Sequence, residues 1–331
     1  MTTIAVTGAA GATGWRVIQR LANDPRVSAI RAADRVYIRP TDKIEPFQID
    51  IASADLGPLL DGADSVIHLA EDRDLDRVLA KAHKHGCNHA VVISSAMVYG
   101  AQADNPVPLT EMHPIRFEGR LRYAAQKLNL EEQAHKWVAN TGGSLAILRP
   151  ASTVSEQGSA YVTRVLRAST CLRTQDTEPP VQFLHYDDLA SAAAHVAIQR
   201  ESSVFNVAPD GWIGPEIFSD LVSEVDLRWI APLEPVQRRI SRLKRWSSVD
   251  RALAPYVSFS WVVANDRILE TGWRPAFTNE ESFVMSSPVG WWNRGPLRYR
   301  QEVALTGVGL VGVGLAAGGL YVARRIFKSR N

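Results

Sequence analysis

A tyrosine and a lysine four residues apart could together move a proton. Tyr123 and Lys127 fall in a stretch that predicts a helix over residues 117–140, where side chains four positions apart share a face. A phenol titrates near ~10, so it needs a nearby positive charge to act as a base at neutral pH. Ser95, after a predicted strand over 90–94, could hold a substrate oxygen against the tyrosine. These three residues are the predicted catalytic set, although such a Tyr/Lys pair alone is also typical of a helix surface.

Three glycines at a spacing of three stand between the first predicted strand and the first predicted helix. In a phosphate-binding turn, Gly8 allows the tight turn, Gly11 lets the backbone approach a pyrophosphate, and Gly14 lets the helix pack closely on the strand. The helix start at Ala12 and Thr13 offers free N–H groups and the positive end of the helix dipole. The turn therefore predicts a dinucleotide-binding site.

A carboxylate ends the second predicted strand. Asp34 lies about 20 residues beyond the last glycine, where an acid accepts hydrogen bonds from both ribose hydroxyls of an adenosine. Its charge favours NAD, because it would repel the 2′-phosphate of NADP. Arg35 could hold that phosphate, so NADP stays open as the alternative. Asp50 and Ile51, after the third predicted strand, are placed to meet the adenine.

Apolar strand-like runs alternate with amphipathic stretches from residue 3 to about 208. The predicted strands cover residues 4–7, 29–33, 46–49, 65–69, 90–94, 144–148, 182–184 and 204–207. The predicted helices cover residues 13–22, 75–85, 117–140, 159–168 and 188–199. This alternation predicts an α/β fold with a Rossmann-type, doubly wound parallel sheet over residues 1–208. Tryptophans and prolines beyond it indicate a small C-terminal substrate lobe over residues 209–290.

A stretch without formal charge covers residues 303–323. As a helix it is long enough to cross the ~30 Å hydrocarbon core of a bilayer, and its many glycines would make a poor helix in water. We therefore expect a C-terminal transmembrane anchor. The catalytic domain is expected to face the cytoplasm, where a dinucleotide is available. A buried glycine-rich helix is the alternative.

The composition limits the partners of the chain. A net charge of +2 at pH 7 gives no field that would attract nucleic acid, so no nucleic-acid partner is expected. Two cysteines cannot build a disulfide framework, which fits a reducing compartment. The histidines and cysteine of residues 83–89 fit no zinc-site spacing, so no metal is expected.

Several short motifs occur in an order that resembles one known family. They are TGAAGATG at 7–14, DSVIHLA at 64–70, SSAMVYG at 94–100, TE at 110–111, YAAQK at 123–127 with Glu131, LRP at 148–150, FLHYDDLA at 183–190 and DRILETGWRP at 266–275. Over residues 3–285 the chain resembles the extended short-chain dehydrogenases/reductases, also called the NAD-dependent epimerase/dehydratase family. The resemblance implies a Rossmann fold, an NAD cofactor and a small-molecule substrate.

The resemblance also assigns roles. It implies that Tyr123 is the catalytic acid/base and that Lys127 lowers its pKa and binds the nicotinamide ribose. Ser95 is implied as the third catalytic residue. A homodimer through the helix that carries Tyr123 and its neighbour is expected as well. The remaining positions that the resemblance assigns to the cofactor are Leu69, Ala70 and Pro150.

Some positions depart from the family pattern. Ala96 and Met97 stand where the 4,6-dehydratases carry an acidic pair, which argues against a dehydratase. Ser152 stands where sugar-nucleotide epimerases usually have an asparagine, and the segment after it is short for a nucleotide-sugar clamp. The Arg149-Pro150 pair is instead similar to hydroxysteroid dehydrogenases and flavonol reductases. Ser152 and the short segment after it weaken the epimerase interpretation without removing it.

Three functions stay open, in this order. The first is a sugar-nucleotide epimerase, in which Tyr123 removes a hydroxyl proton while hydride passes to NAD and later returns to the other face of the keto intermediate. The second is an NAD(P)-dependent oxidoreductase that acts on an apolar lipid alcohol or ketone, similar to a hydroxysteroid dehydrogenase. The third is a protein that binds NAD as a sensor or assembly factor without turning it over.

Overall fold

The strands form one large and one small sheet. A computed structural model describes residues 2–70, 72–117, 121–155, 158–159, 179–222 and 251–286. The strands are β1 (Thr2–Thr7), β2 (Val27–Asp34), β3 (Ile44–Gln48), β4 (Ser65–His68), β5 (His89–Ile93), β6 (Ser144–Pro150), β7 (Ser152–Ser155), β8 (Gly158–Ser159), β9 (Phe183–His185) and β10 (Ser203–Val207). The sequence-predicted strands agree with these within two residues at each end.

The large sheet has seven strands in the order β3-β2-β1-β4-β5-β6-β10, and each neighbouring pair is parallel. The chain order changes direction between β1 and β4. In parallel sheets of this kind, ligands bind outside the carboxyl ends of the strands at that point. The predicted Rossmann-type arrangement is thus confirmed, and β10 extends it by one strand.

The helices connect these strands. They are α1 (Ala12–Asn23), α2 (Gly57–Leu60), α3 (Leu75–Lys84), α4 (Arg122–Thr141), α5 (Tyr186–Gln199), α6 (Pro215–Val222), α7 (Ala254–Ser258), α8 (Asp266–Glu270) and α9 (Asn279–Met285), with short 3-10 helices at Asp72–Asp74, Ala96–Tyr99 and Arg251–Leu253. The predicted start of α4 at residue 117 is wrong. The helix begins at Arg122 because Leu121 is still extended (φ −94°, ψ 110°).

Apolar cores cover both faces of the large sheet. Successive strand residues point to opposite faces, so Ile4 and Val6 of β1 join the core under α1 and α5, whereas Ala5 joins the core under α3 and α4. Helix α1 contributes Ile18 to the first core, and α3 contributes Leu79 to the second. The two faces together hold the carboxyl ends of the strands in a fixed order.

Strand β9 departs from the predicted arrangement, because it does not extend the large sheet. It pairs in parallel with β7, which also pairs antiparallel with β8. The reason lies at the end of β10. Val207 pairs with Pro150, and the Ala151 N–H still donates to the Val207 carbonyl, but β10 ends there. Beyond that point the chain after β6 pairs with β9 instead.

The described part of the predicted lobe packs directly on the sheet domain. The Asn265 side chain donates to the Ala208 carbonyl at 3.0 Å, and Val263 forms an isolated bridge with Leu109. All described residues fall in one compact unit. The boundary at residue 208 stays a prediction.

Two predicted helices cannot be compared with the fold. Within the described ranges, no helix has the length and apolar character needed to cross a bilayer. The predicted anchor at 303–323 lies outside those ranges. The predicted helix at 159–168 also lies outside them, except for Ser159, which ends β8.

Candidate active site

The glycine turn between β1 and α1 is required by close backbone contacts. Gly8 has a φ of 71°, and a Cβ there would lie 2.6 Å from the Leu69 carbonyl oxygen and from the Ala70 nitrogen. A Cβ on Gly14 would overlap the Gly8 carbonyl oxygen. Both positions therefore exclude larger residues, as the motif predicts for a tight turn and a closely packed helix.

A cavity of about 330 Å³ opens beside this turn, at the carboxyl ends of the strands. The predicted cofactor residues that line it are Gly8, Gly11, Asp34, Arg35, Asp50, Ile51, Leu69 and Ala70. Sequence reasoning missed Ala33, Ile49 and Asp74, which also line it. The acidic run that follows β4 was the available signal for Asp74, because residues just beyond parallel strands meet at this edge.

Asp34 is held by the backbone around it. One carboxylate oxygen accepts the Ala10 N–H and the other accepts the Val36 N–H, both at 3.0 Å. These bonds fix the carboxylate at the end of β2, and each oxygen keeps a further acceptor site. Arg35 lines the same cavity. The choice between NAD and NADP therefore stays a prediction.

The other predicted cofactor residues do not line the cavity. Ala12 and Thr13 begin α1, whose N-cap residue Gly11 offers no side-chain acceptor, so the first N–H groups stay available to a ligand. Gly14 lies behind the turn. Pro150 is buried at the end of β6, where it pairs with Val207.

The two predicted catalytic hydroxyls meet. Ser95 is buried, and its side chain lies close enough to the Tyr123 phenol to act on the pKa of that phenol. The Ser95 Oγ also accepts the Met97 N–H at 3.2 Å, because Ser95 caps the short helix at Ala96–Tyr99. Tyr123 is 43 % exposed, so a substrate can reach the pair from solvent.

Lys127 lies beside this pair but points to a third partner. Its Nζ is 5.9 Å from the centre of the Tyr123 ring. The same Nζ donates to the Asp72 carboxylate at 2.8 Å and to the Ile93 carbonyl at 3.0 Å. Asp72 was not predicted, because it contacts Lys127 from 55 positions away in the sequence.

The pKa of Tyr123 is raised above the ordinary value of a phenol. Desolvation is the largest cause; the hydrogen bond with Ser95 opposes it, and the charges of Asp72 and Tyr186 add to the increase. The predicted lowering by Lys127 is therefore not found in this arrangement. Desolvation outweighs the lowering effect of Ser95, and the Lys127 ammonium is bonded to the Asp72 carboxylate.

One turn further along α4, a buried network ties the helix to the sheet. Glu131 accepts two hydrogen bonds from the Arg149 guanidinium, at 2.9 and 2.6 Å, and a third from Ser94 at 2.5 Å. Arg149 also donates to the Tyr99 hydroxyl, which donates to Asn206. Burial lowers the pKa of Arg149, but the bond and charge of Glu131 outweigh it and raise the pKa overall. Arg149 thus joins β6 to α4 through its bonds to Glu131.

The residues of the 83–89 segment go to separate partners. His89 is bonded through one ring nitrogen to Ser65 and through the other to the Glu201 carbonyl, both at 2.8 Å. His83 contacts Asn88, and the Cys87 thiol is buried with a raised pKa of about 11, chiefly because of desolvation. These directions diverge. Within the described residues, no group of three potential metal ligands is formed.

Comparisons with known proteins agree with this geometry. Residues 73–208 match the model of the NAD dependent epimerase/dehydratase family. No curated protein sequence matches the chain significantly.

Several solved structures share the fold. MoeE5 in complex with UDP-glucuronic acid and NAD is 17 % identical, with a TM-score of 0.62 over 86 % of this chain and 97 % of that one. The UDP-N-acetylglucosamine 4-epimerase from Bacillus cereus is 16 % identical, with a TM-score of 0.60 over 86 % and 94 %. The dTDP-glucose 4,6-dehydratase from Bacillus anthracis in complex with NAD is 14 % identical, with a TM-score of 0.61 over 89 % and 97 %.

The match to the family model indicates the family, and the similar solved structures show only that the fold is shared. The match includes the segment from Ser95 to Lys127 and the α4 network. Residues 73–208 are therefore similar to the NAD-dependent epimerase/dehydratase family that the motifs resemble.

Proposed function

We propose that the chain is an NAD-dependent enzyme that works as a sugar-nucleotide epimerase by transient oxidation, with Tyr123 as the acid/base. One observation carries this proposal: the Ser95 and Tyr123 side chains lie close together, and the Lys127 Nζ is 5.9 Å from the centre of the Tyr123 ring. Ser95 follows β5, a strand of the same sheet whose glycine turn borders the cavity of about 330 Å³.

The residues of that cavity fit a dinucleotide. Gly8 and Gly14 leave no room for side chains at the turn, so the backbone itself forms the floor, and α1 begins there with uncapped N–H groups. Asp34 offers carboxylate oxygens to a ribose. NAD, when bound, supplies the acceptor and donor of hydride. The similarity of residues 73–208 to an NAD-dependent family, and the NAD bound in two of the structures above, support this choice of cofactor.

The chain's own residues handle the proton. Tyr123 takes a proton from the substrate hydroxyl when that carbon is oxidised, and gives it back when the carbon is reduced. Ser95 holds the same substrate oxygen in place through its hydroxyl. The raised pKa of Tyr123 keeps it protonated in the free site, so a positive charge is needed to make it a base. Lys127 is placed to provide that charge.

The proposal is tested by incubating the purified full chain with UDP-glucose and measuring UDP-galactose without added cofactor. We expect interconversion by the wild type and a loss of at least ~10²-fold in Tyr123→Phe, which removes the proton carrier. Tyr37→Phe is the matched control, because Tyr37 is 64 % exposed and lies outside the cavity lining. A wild type that binds NAD but shows no interconversion would favour the non-catalytic interpretation, and a fully active Tyr123→Phe protein would remove Tyr123 as the acid/base.

A second candidate function is favoured by a second cavity. A space of about 530 Å³ lies between the segment after the short helix at Ala96–Tyr99 and the residues around α7. The apolar part of its wall contains Phe117, Leu121 and Phe259, and Gln102, Asp104 and Arg116 line the rest. The apolar part suits a lipid alcohol or ketone with a polar end.

This second candidate makes its own prediction. A panel of hydroxysteroids and lipid ketones is mixed with stoichiometric NAD(H) or NADP(H), and the absorbance of the reduced nicotinamide is followed. Net consumption with one of these substrates, and none with sugar nucleotides, would favour the oxidoreductase. The reverse pattern would remove it.

We also propose that residues 303–323 anchor the chain in a membrane with the catalytic domain in the cytoplasm. The uncharged stretch supports this proposal. The full chain should sediment with membranes, resist high salt and be released by detergent. Release by salt alone would contradict it. The expected homodimer is tested by the sedimentation behaviour of the detergent-solubilised protein.

A further inference from the structure

We propose that Asp72 is a positioning residue of this site: it holds the Lys127 ammonium at the end of β5 and offsets its charge at Tyr123. The inference rests on the proposed function, because it concerns the same acid/base. It places a fourth residue beside the predicted catalytic set of Ser95, Tyr123 and Lys127, and the negative charge of that residue opposes the effect of Lys127 on Tyr123.

The geometry fixes Lys127 between two acceptors. Its Nζ donates to the Asp72 Oδ1 at 2.8 Å and to the Ile93 carbonyl at 3.0 Å. The lysine side chain is 14 % exposed and that of Asp72 is 26 % exposed, so water screens the pair only in part. An ammonium has three donors, and this arrangement leaves one for a ligand. Asp72 therefore determines both where the charge sits and how many donors remain.

Asp72 also sets the balance of charge around Tyr123. Among the described residues, the groups that act on this tyrosine come from four elements. They are Lys127 from α4, Ser95 after β5, Asp72 from its short helix and Tyr186 from the start of α5. Arg16 lies 5.8 Å from the Tyr186 ring, but it is paired with Asp187 at 2.9 Å.

Asp72 is the acid among these groups whose charge raises the pKa of Tyr123. The consequence is that Tyr123 ionises less readily. With Asp72 in place, the Lys127 charge is largely neutralised, and the tyrosine stays a phenol to a higher pH. Without Asp72, the ammonium should stabilise the phenolate and the tyrosine should ionise more readily. Lys127 would also lose one of its two hydrogen-bond acceptors. In the variant, Tyr123 should therefore become more acidic, and the position of the Lys127 ammonium should be less well defined.

The test is an ultraviolet titration of tyrosinate in the full-length, detergent-solubilised protein. The signal of Tyr123 is isolated by subtracting the curve of the same protein carrying Tyr123→Phe. For Asp72→Asn we expect a midpoint lower by about 0.5–1 pH unit, which means a roughly three- to tenfold larger phenolate fraction at a fixed pH below the midpoint. Asp72→Glu, which keeps the charge, should titrate like the wild type.

The matched control is Asp76→Asn. It removes the same charge from an exposed position four residues away, at the start of α3, and should leave the midpoint unchanged. Asp72→Ser takes the place of Asp72→Asn if the latter does not fold. An unchanged or higher midpoint in the charge-removing variant would overturn the proposal. Equal shifts for positions 72 and 76 would also overturn it, because they would show only a general effect of charge.

The titration separates this inference from the proposed function. It needs no turnover, so a lower midpoint in a protein without epimerase activity would leave the role of Asp72 standing and remove the epimerase. In an active enzyme, the acid limb of the kcat profile should move to lower pH in Asp72→Asn by the same amount. An active enzyme whose acid limb does not move would contradict the inference alone.

Discussion

Helix α4 carries two ion pairs one turn apart, and they are built for different tasks. The Glu131–Arg149 pair is 2.6 Å long, and its side chains are 3 % and 6 % exposed. The Lys127–Asp72 pair is 2.8 Å long, and its side chains are 14 % and 26 % exposed. Ser94 and Tyr99 complete the deeper pair, whereas the outer pair lies beside the Tyr123 ring.

The difference shows how one helix serves both scaffold and chemistry. A charge that is buried and fully bonded cannot be exchanged for a ligand without a large loss, so it fixes α4 on the sheet. A charge at the edge of solvent can change partners at small cost. The deeper pair therefore holds the helix in register, and the outer pair adjusts the group that reacts.

The largest effect on stability is expected when one partner of the deeper pair is removed. Glu131→Gln leaves the Arg149 guanidinium buried without a counter-charge, so we expect a loss of about 3 kcal/mol in the free energy of unfolding. Chemical denaturation measures it. Glu132→Gln, at the exposed neighbouring position, is the control and should change little. Equal stability of the two variants would show that the network does not hold α4.

Removing one partner of the outer pair should reduce activity strongly and stability only slightly. Lys127→Met removes the ammonium from a partly exposed pair, so we expect a loss of at most about 1 kcal/mol in stability. Epimerase activity should fall by at least ~10²-fold, because Tyr123 loses the charge that makes it a base. If the stability loss were as large as that of Glu131→Gln, the distinction between the two pairs would fail.

The smallest effect is expected at the exposed pair of Arg116 and Asp104. These side chains are 37 % and 71 % exposed and 3.0 Å apart. The bond to Arg116 lowers the pKa of Asp104, but solvent screens the interaction. Asp104→Asn should leave the thermal midpoint unchanged within error, and added salt should not alter that result. A clear drop would show that distance alone, rather than burial, decides what such pairs contribute.

The sequence was informative where the constraint is local. Gly14 is dictated by contacts with Gly8 and Ala9 of the turn itself, and Gly8 has the positive φ of a tight turn, so the glycine spacing predicted the cavity beside β1. The strands of the large sheet were equally accessible, because apolar β-rich runs form them. Ser95 and Tyr123 each lie in a recognisable motif, and the structure places their side chains close together.

The rest depends on contacts between distant parts of the chain. Asp72 reaches Lys127 across 55 positions, and no pattern near either residue indicates it. Arg149 was visible in a motif, but its bonds to Glu131 and Tyr99 appear only once β6 and α4 are packed. The pairing of β9 with β7 likewise follows from where β10 ends. Sequence patterns thus led to the predicted catalytic residues, whereas the charged partners around them emerge only from the packing of distant segments.

The most direct test of the account is mass spectrometry of the nucleotides released when the purified full chain is denatured. We expect NAD, in an amount close to one per chain, because the Gly8 turn and Asp34 form a site for it. Release of NADP instead would reverse the reading of Asp34 and Arg35. A protein that releases neither dinucleotide, and binds neither when it is added, would contradict the central claim.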